Sequence, residues 1–341
     1  MVRIKDIADA CGVSTATVSY VIHGKKEKVS EKVRKRIEKE IEKSGYVTNQ
    51  SAINLVSRSS GLIGVAVMDE SGRKEIMEDP YFSVLFSNLE REFKKRDKYI
   101  LIILDQSPEV IIRDARRWNL DGLVMCNFSK EKMTAVSQEF MKPIVMIDAG
   151  FVYEYDGLVQ IFIDDFDGGY QVGKYLYNMG HRDVAMLDNS DEEETRHRWR
   201  GFQKAYSDNG IKLDEDSHFI VPMKESMIEE ALKKLYSRFA GKSAVFCVSD
   251  FYALRLIKLF NEKGIRVPDD ISVAGYDDII YSKLITPELT TVHQDLEQKA
   301  YEAVKSMMAM LNKKTVKHCI KLPVKLVERE STQLFKINKN E

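Results

Sequence analysis

The chain has 341 residues, 44% of them hydrophobic and 31% charged, with a net charge of −1. That length suggests about two or three domains, and that composition supports buried cores rather than wholesale disorder. No run of about 18 apolar residues is present, and the first residues lack the apolar stretch of a secretory signal, so a membrane-spanning or exported protein is not expected. Cys11, Cys126, Cys247 and Cys319 lie far apart with no CxxC pair. That spacing argues against a disulfide framework or a structural zinc and fits a reducing cytoplasm. No cofactor or metal is expected.

The near-zero net charge hides an asymmetry. Residues 1–60 carry twelve Lys and Arg against seven Asp and Glu, a net of +5, which leaves −6 for the rest. A basic head on an acidic body is the layout of a chain whose head alone meets a polyanion.

The head reads as three short helices. Ile4, Ile7, Ala8 and Cys11 share one face of the first, as the helical period requires. Gly12-Val13 breaks it, and Ser14 is placed to cap a second helix over 15–22 that turns Val18 and Ile22 inward. Two short helices joined by a glycine-containing turn form a helix-turn-helix, whose second helix reads the major groove. Ser30 is placed to cap a third helix, in which Val33, Ile37 and Ile41 recur every four residues before Ser44-Gly45 ends it. Residues 46–60 have room for about two helical turns with Asn49 as N-cap, marginal alone in water, so this stretch is either a plain linker or a segment that folds on DNA.

The body is a strand and helix alternation. Strand-like apolar runs fall at 62–68, 99–104, 123–126, 144–147, 159–163, 184–187, 244–248, 271–275 and 322–327. Helical patterns at 83–96, 167–179, 198–209, 227–239, 252–263 and 296–311 separate most of them. This order predicts parallel sheets covered on both faces, too long for one sheet, hence two doubly wound α/β subdomains with ligands beyond the carboxyl ends of the strands.

The segments IKDIADACGVSTATVSYVIHG and VSEKVRKRIEKEIEKSGYVTNQ, with GLIGVAV, DPYF, PIVMIDAG, NMGHRDVAML, VPDDISVAGYDDI and PELTTVHQDL, resemble the LacI/GalR family of bacterial transcription repressors. The resemblance covers nearly the whole chain. It implies an all-α helix-turn-helix head over 1–47 and a hinge helix over 48–60. It also implies a core like periplasmic sugar-binding proteins, with three crossovers near 160, 290 and 322. The two subdomains would be 61–160 with 291–321, and 161–290 with 322–333. It further implies a homodimer on a pseudo-palindromic operator, with a small-molecule effector, a sugar by this analogy, in the cleft.

By the same resemblance Thr15, Ala16 and Tyr20 face base edges, with Thr17 and Ser19 on the same helix. Ser14, Lys28, Arg34 and the hinge Asn49 position phosphates, Ala52 belongs to the hinge surface, and Leu55 is the apolar wedge that kinks a minor-groove step. Tyr20 stands where many relatives carry Arg, so a different half-site is expected, and Thr48 stands where proline is usual. Ligand contacts carried over by position are Asp277, Arg198, the pair Tyr81 and Phe82, Asp148 and Asp250. Ser249 replaces the usual Asn before Asp250, and the aromatic residue expected near Val221-Pro222-Met223 is missing.

Two other classes remain to be weighed. A sugar-modifying hydrolase would use the cleft but leaves the basic head without a role, and no nucleophile and base pair stands out. An architectural DNA binder leaves the core without one. Gly168-Gly169 is not GxGxxG, so a dinucleotide site is not expected.

Overall fold

The computed structural model describes residues 2–22, 26–46, 59–68, 76–105, 107–153, 155–190 and 196–335. It divides into a unit over Met1–Ser60 and a unit over Gly61–Glu341. The expected hinge residues Thr48, Asn49, Ala52 and Leu55 lie outside the described residues, as does the acidic run 191–194.

In the head, helices α1 (Ile4–Ala10), α2 (Thr15–Ile22) and α3 (Glu31–Ser44) close on Ile7, Ala8, Cys11, Val18 and Ile37. Ile4, Val21, Ile22, Val33 and Ile41 pack around that centre, so the apolar period found in the sequence is the buried face. Ser14 caps α2: its hydroxyl accepts the Thr17 N–H at 3.2 Å and pairs with the Thr17 hydroxyl at 2.9 Å. Ser30 also stands at the N-cap of α3, but its hydroxyl makes no capping bond.

The core carries its strands in three groups. The first is β1 (Leu62–Val67), β2 (Tyr99–Leu104), β3 (Gly122–Cys126), β4 (Ile144–Ile147) and β5 (Leu158–Ile163). The second is β6 (Val184–Asp188), β7 (His218–Ile220), β8 (Ala244–Cys247) and β9 (Ser272–Ala274). Last come β10 (Thr291–Gln294), β11 (Cys319–Leu322) and β12 (Val324–Val327). One parallel sheet has the order β11-β5-β4-β3-β1-β2, the other β7-β6-β8-β9, and β10 pairs antiparallel with β12.

Helices α4 (Pro80–Lys94), α5 (Pro108–Arg117) and α6 (Lys130–Glu139) connect the first sheet. Helices α7 (Asp165–Asn178), α8 (His197–Ser207), α9 (Glu225–Leu235) and α10 (Asp250–Glu262) serve the second, and α11 (Leu296–Leu311) returns to the first. Along β3, Val124 and Cys126 face α4 and α11, while Leu123 and Met125 face α5 and α6. A strand buried on both faces cannot alternate polar and apolar residues, which explains its continuous apolar run.

The sequence pattern missed several elements for identifiable reasons. β7 has three residues, too few for a period to register. In α5 the charged Arg113, Asp114, Arg116 and Arg117 outnumber its buried Ile111, Ile112 and Ala115. The run at 322–327 is two strands parted at Pro323, because β11 belongs to the first sheet and β12 to the ribbon with β10.

The chain passes between the sheets three times. The boundary expected at 160 falls inside β5, whose pairing with β11 continues to Ile163, so the first passage follows Ile163. The Asp164 N–H donates to the Leu322 carbonyl at 2.9 Å, which joins the first passage to the third. Gln171 donates to the Val324 carbonyl at 3.1 Å and accepts from the Leu326 N–H at 2.9 Å, and β10 pairs with β12. The three passages are laced to one another. Where the core begins, the Gly61 N–H donates to the buried Asp121 carboxylate at 3.0 Å, which Lys98 also grips at 2.9 Å.

Candidate functional site

Asp148 follows β4 and Asp277 follows β9, each at the carboxyl end of a parallel strand. Both sit in the left-handed backbone region, Asp148 at φ 54° and Asp277 at φ 112°, and Asp278 follows at 53°. Such conformations cost a non-glycine residue on the order of 1–3 kcal/mol and persist only where neighbours impose them. Here neighbouring strands hold them: the Asp277 N–H donates to the Val292 carbonyl of β10 at 2.8 Å and the Asp148 N–H to the Ile161 carbonyl of β5 at 3.0 Å.

A chain of polar side chains joins these two strand ends. The Lys299 ammonium, on the first turn of α11 and 0% exposed, donates to both oxygens of Asp148 at 2.8 Å. It also reaches the Tyr81 hydroxyl at 3.0 Å and the Gln294 side-chain oxygen at 2.8 Å. The Tyr81 hydroxyl donates to Asp148, and Gln294 donates through Nε2 to Asp277 Oδ1 at 2.6 Å. Burial and the neighbouring Asp148 charge push the Tyr81 phenol well above its usual range, so it stays a donor. Burial, with the Asp250 charge, likewise raises the Asp277 carboxyl well above the carboxylate range, although Arg198 and the Gln294 amide act against that.

Arg198 completes the second wall. Its Nε donates to Asp165 at 2.7 Å, one terminal nitrogen donates to the Val248 carbonyl, and the guanidinium lies 3.6 Å from the centre of the Tyr276 ring. Burial disfavours this charge, but Asp165, Tyr276 and Asp277 more than offset that, so the guanidinium is held more firmly protonated than usual. Two glycines make the geometry. A Cβ on Gly169 would stand 2.0 Å from the Arg198 carbonyl oxygen, and one on Gly201 would stand 1.9 Å from that of Phe166. Only bare backbone lets α7 and α8 approach this closely.

The structure therefore brings together Tyr81, Asp148, Arg198 and Asp277 and corrects two expectations. Asp250 is 0% exposed, and its oxygens accept from Thr291 at 2.5 Å, Ser282 at 2.6 Å and the Ile279 N–H at 3.0 Å. It pins the turn after β9 and, with no exposed surface, presents nothing to a ligand. Phe82 is buried in the core under α4, edge-on to Tyr81 and beside Phe86, so little of its ring remains to serve as a platform.

In the head, Thr15 and Ala16 are exposed at the start of α2, and Thr17, Ser19 and Tyr20 are half-buried. The Lys28 ammonium lies 5.1 Å from the centre of the Tyr20 ring. Arg34 is half-buried and forms an ion pair with Glu38 at 3.7 Å.

Comparison with known proteins agrees with this fold. Residues 3–49 match the pattern described as bacterial regulatory proteins, lacI family, and residues 174–332 match a periplasmic binding protein-like domain. The HTH-type transcriptional repressor PurR of Histophilus somni (strain 129Pt) is 31% identical over 98% of this chain and 99% of its own. The chain belongs to the lacI family of bacterial regulatory proteins.

Among solved structures, the lac repressor dimer bound to operator and the anti-inducer ONPF superposes with a TM-score of 0.82 at 24% identity, covering 97% of this chain and 99% of that one. A LacI family transcriptional regulator from Enterococcus faecium with bound ribose gives 0.69 at 24% identity, covering 81% of this chain and 100% of that one. Within this lacI-family frame, Gln294 and Lys299 are the site residues that sequence reasoning missed. A signal was present. Lys299 sits on the stripe of α11 that also carries Ala300, Ala303, Val304 and Met307, all buried, and a lysine on an apolar stripe needs a buried partner.

Proposed function

We propose that this lacI-family protein is a cytoplasmic transcription repressor. It works as a homodimer, binds a pseudo-palindromic operator through α2 of each head, and is controlled by a small hydroxyl-bearing effector in the core cleft. The observation that carries this reading is the unbroken side-chain path from Asp277 through Gln294 and Lys299 to Asp148 and Tyr81. It joins the ends of two sheets in a chain that also bears a helix-turn-helix. A ligand that contacts Asp277 and Asp148 interacts differently with different dispositions of the sheets, and only such differential affinity shifts an equilibrium.

Thr15, Ala16 and Tyr20 read bases, with Ser14, Thr17, Ser19, Lys28, Arg34, Asn49 and Ala52 supporting them and Leu55 acting as the wedge. The relatives are regulators, and regulation rather than turnover is the role assigned to the cleft.

The test is selection of duplexes from a random pool by the full-length protein, followed by titration of the selected duplex with and without candidate sugars. Recovery of a two-fold-symmetric site whose affinity responds to a sugar supports the proposal. Absence of sequence selection, or chemical turnover of the sugar, sinks it.

A further inference from the structure

The net charge of −6 on residues 61–341 hides a second asymmetry. Neighbouring strands of the first sheet all pair parallel, so the segments that enter them gather at one edge. After β1 these segments are residues 95–98, 118–121, 140–143, 155–157 and 312–318. They carry seven Lys and Arg against three Asp, a net of +4, which leaves −10 for the rest of the core. The excess is local. Lys95 and Arg96 are spent on Glu92, and Lys98 on Asp121. Lys313, Lys314 and Lys317 are exposed and have no ion-pair partner among the described residues. Lys142 donates only to neutral groups, the Asn119 side-chain oxygen at 3.0 Å and the Leu120 carbonyl at 2.6 Å. An open cavity of about 480 Å³ lies among Lys142, Lys313, Lys314 and His318, with Asp156 its single carboxylate among the described residues. The C-terminus of α11 favours cations within its last turn, which helps to account for Lys313 and Lys314. Lys317 lies beyond that turn.

We propose that this edge is a second DNA contact, in which Lys313, Lys314 and Lys317 take backbone phosphates of the duplex that the head holds. The inference rests on the head binding DNA. Charge complementarity admits any polyanion, and the course of the chain selects DNA. Gly61, where the core begins, enters β1 at this same edge, its carbonyl accepting the Tyr99 N–H at 3.0 Å. The chain that leads to the helix-turn-helix is therefore tethered there, and a tether raises the local concentration of whatever the head has bound. Three lysines release too few counterions to hold a duplex without the head, but they add to a complex already formed. Phosphate contacts carry no sequence information, so this edge strengthens binding without changing the site selected.

The experiment is fluorescence anisotropy of the full-length protein on its selected duplex and on a random duplex, from about 50 to 200 mM salt. The variant replaces Lys313, Lys314 and Lys317 together by Gln. Its control replaces Lys233, Lys258 and Lys263, exposed lysines of the second sheet's helices and their ends, and so makes the same change in net charge. We expect the first variant to bind both duplexes about tenfold more weakly at low salt. Its slope of log affinity against log salt should be shallower by about two or more, since each phosphate contact contributes about 0.9. The control should stay within about twofold of the parent. Asp156→Asn removes the carboxylate of the cavity and should tighten both duplexes by about threefold, a gain that damage to the fold cannot produce. Unchanged affinity and slope in the first variant, an equal loss in the control, a loss confined to the selected duplex, or no gain from Asp156→Asn overturns the proposal. A parent protein that binds no duplex overturns the reading of the head as well; if the parent selects a site and the lysine variant matches it, this inference alone falls.

Discussion

Lys299 poses the hardest energetic problem among the described side chains: an ammonium with no exposed surface. Removing one partner of a buried ion pair strands the other, at a cost of about 3–5 kcal/mol, whereas replacing both by apolar groups is often neutral. Lys299→Met should therefore lower core stability by about 3 kcal/mol, the low end because Asp148 is half-exposed. Lys299→Met with Asp148→Leu should recover most of it. Urea unfolding of the two variants checks this, and equal losses in both would show that the pair is not the stabilising unit.

Asp250 supplies a pH signature. Burial pushes its carboxyl up to about 6 despite the bonds it accepts from Ser282, Thr291 and Ile279. A carboxyl raised above its unfolded value near 3.9 favours folding on the acid side, and that contribution fades as pH rises through the folded pKa. Between about pH 5 and pH 7 this loss is on the order of 1 kcal/mol. Asp250→Asn should flatten that slope in urea unfolding at the two pH values, and an unchanged slope would exclude Asp250 as its source. Asp277, Arg198, Asp148 and Tyr81 were legible because each ends a strand or opens a helix within a recognisable motif. Gln294 and Lys299 were not, because their roles depend on partners from other segments; Lys299 meets Tyr81 218 residues earlier in the chain.

At the scale of elements, the approach of α7 to α8 is set by glycine. Gly201→Ala places a Cβ where the Phe166 carbonyl stands, and overpacking of this kind costs roughly 1–3 kcal/mol. The helices must separate, which draws Arg198 away from Asp165. We expect a lower melting temperature together with loss of the sugar response in duplex titrations; a lower melting temperature with the response intact would detach helix spacing from ligand sensing. In the head, α2 carries Tyr20, half-buried beside Lys28. Tyr20→Arg should shift the selected duplex toward guanine at one half-site position, since Arg can bond O6 and N7 of guanine together. An unaltered selected sequence would remove Tyr20 from the reading surface. The head helices were legible because each is short, punctuated and apolar on one face. The passages between sheets were less so: β10 and β12 are four residues each, and nothing local tells a strand which sheet it will join.

At the scale of the molecule, the charge asymmetry makes a direct forecast. Binding of the full-length protein to its selected duplex should weaken steeply with salt, because each phosphate contact releases counterions. Residues 61–341 alone should melt cooperatively, take up the same sugar and no longer bind the duplex. Tight duplex binding by that fragment, measured by fluorescence anisotropy, would place the DNA-binding surface outside the basic head.

The lacing of the three passages carries a mechanical consequence. Passages bonded to one another in this way resist shear, because sliding one sheet past the other would break the Asp164, Gln171 and β10–β12 hydrogen bonds at once. What remains cheap is a swing about the line they define, as a door on three pins can turn but not slide. Gly61, bonded through Asp121 to Lys98, is fixed to the first sheet's side of these passages. A swing of this kind would carry Gly61 along with the first sheet, at the residue where the core begins.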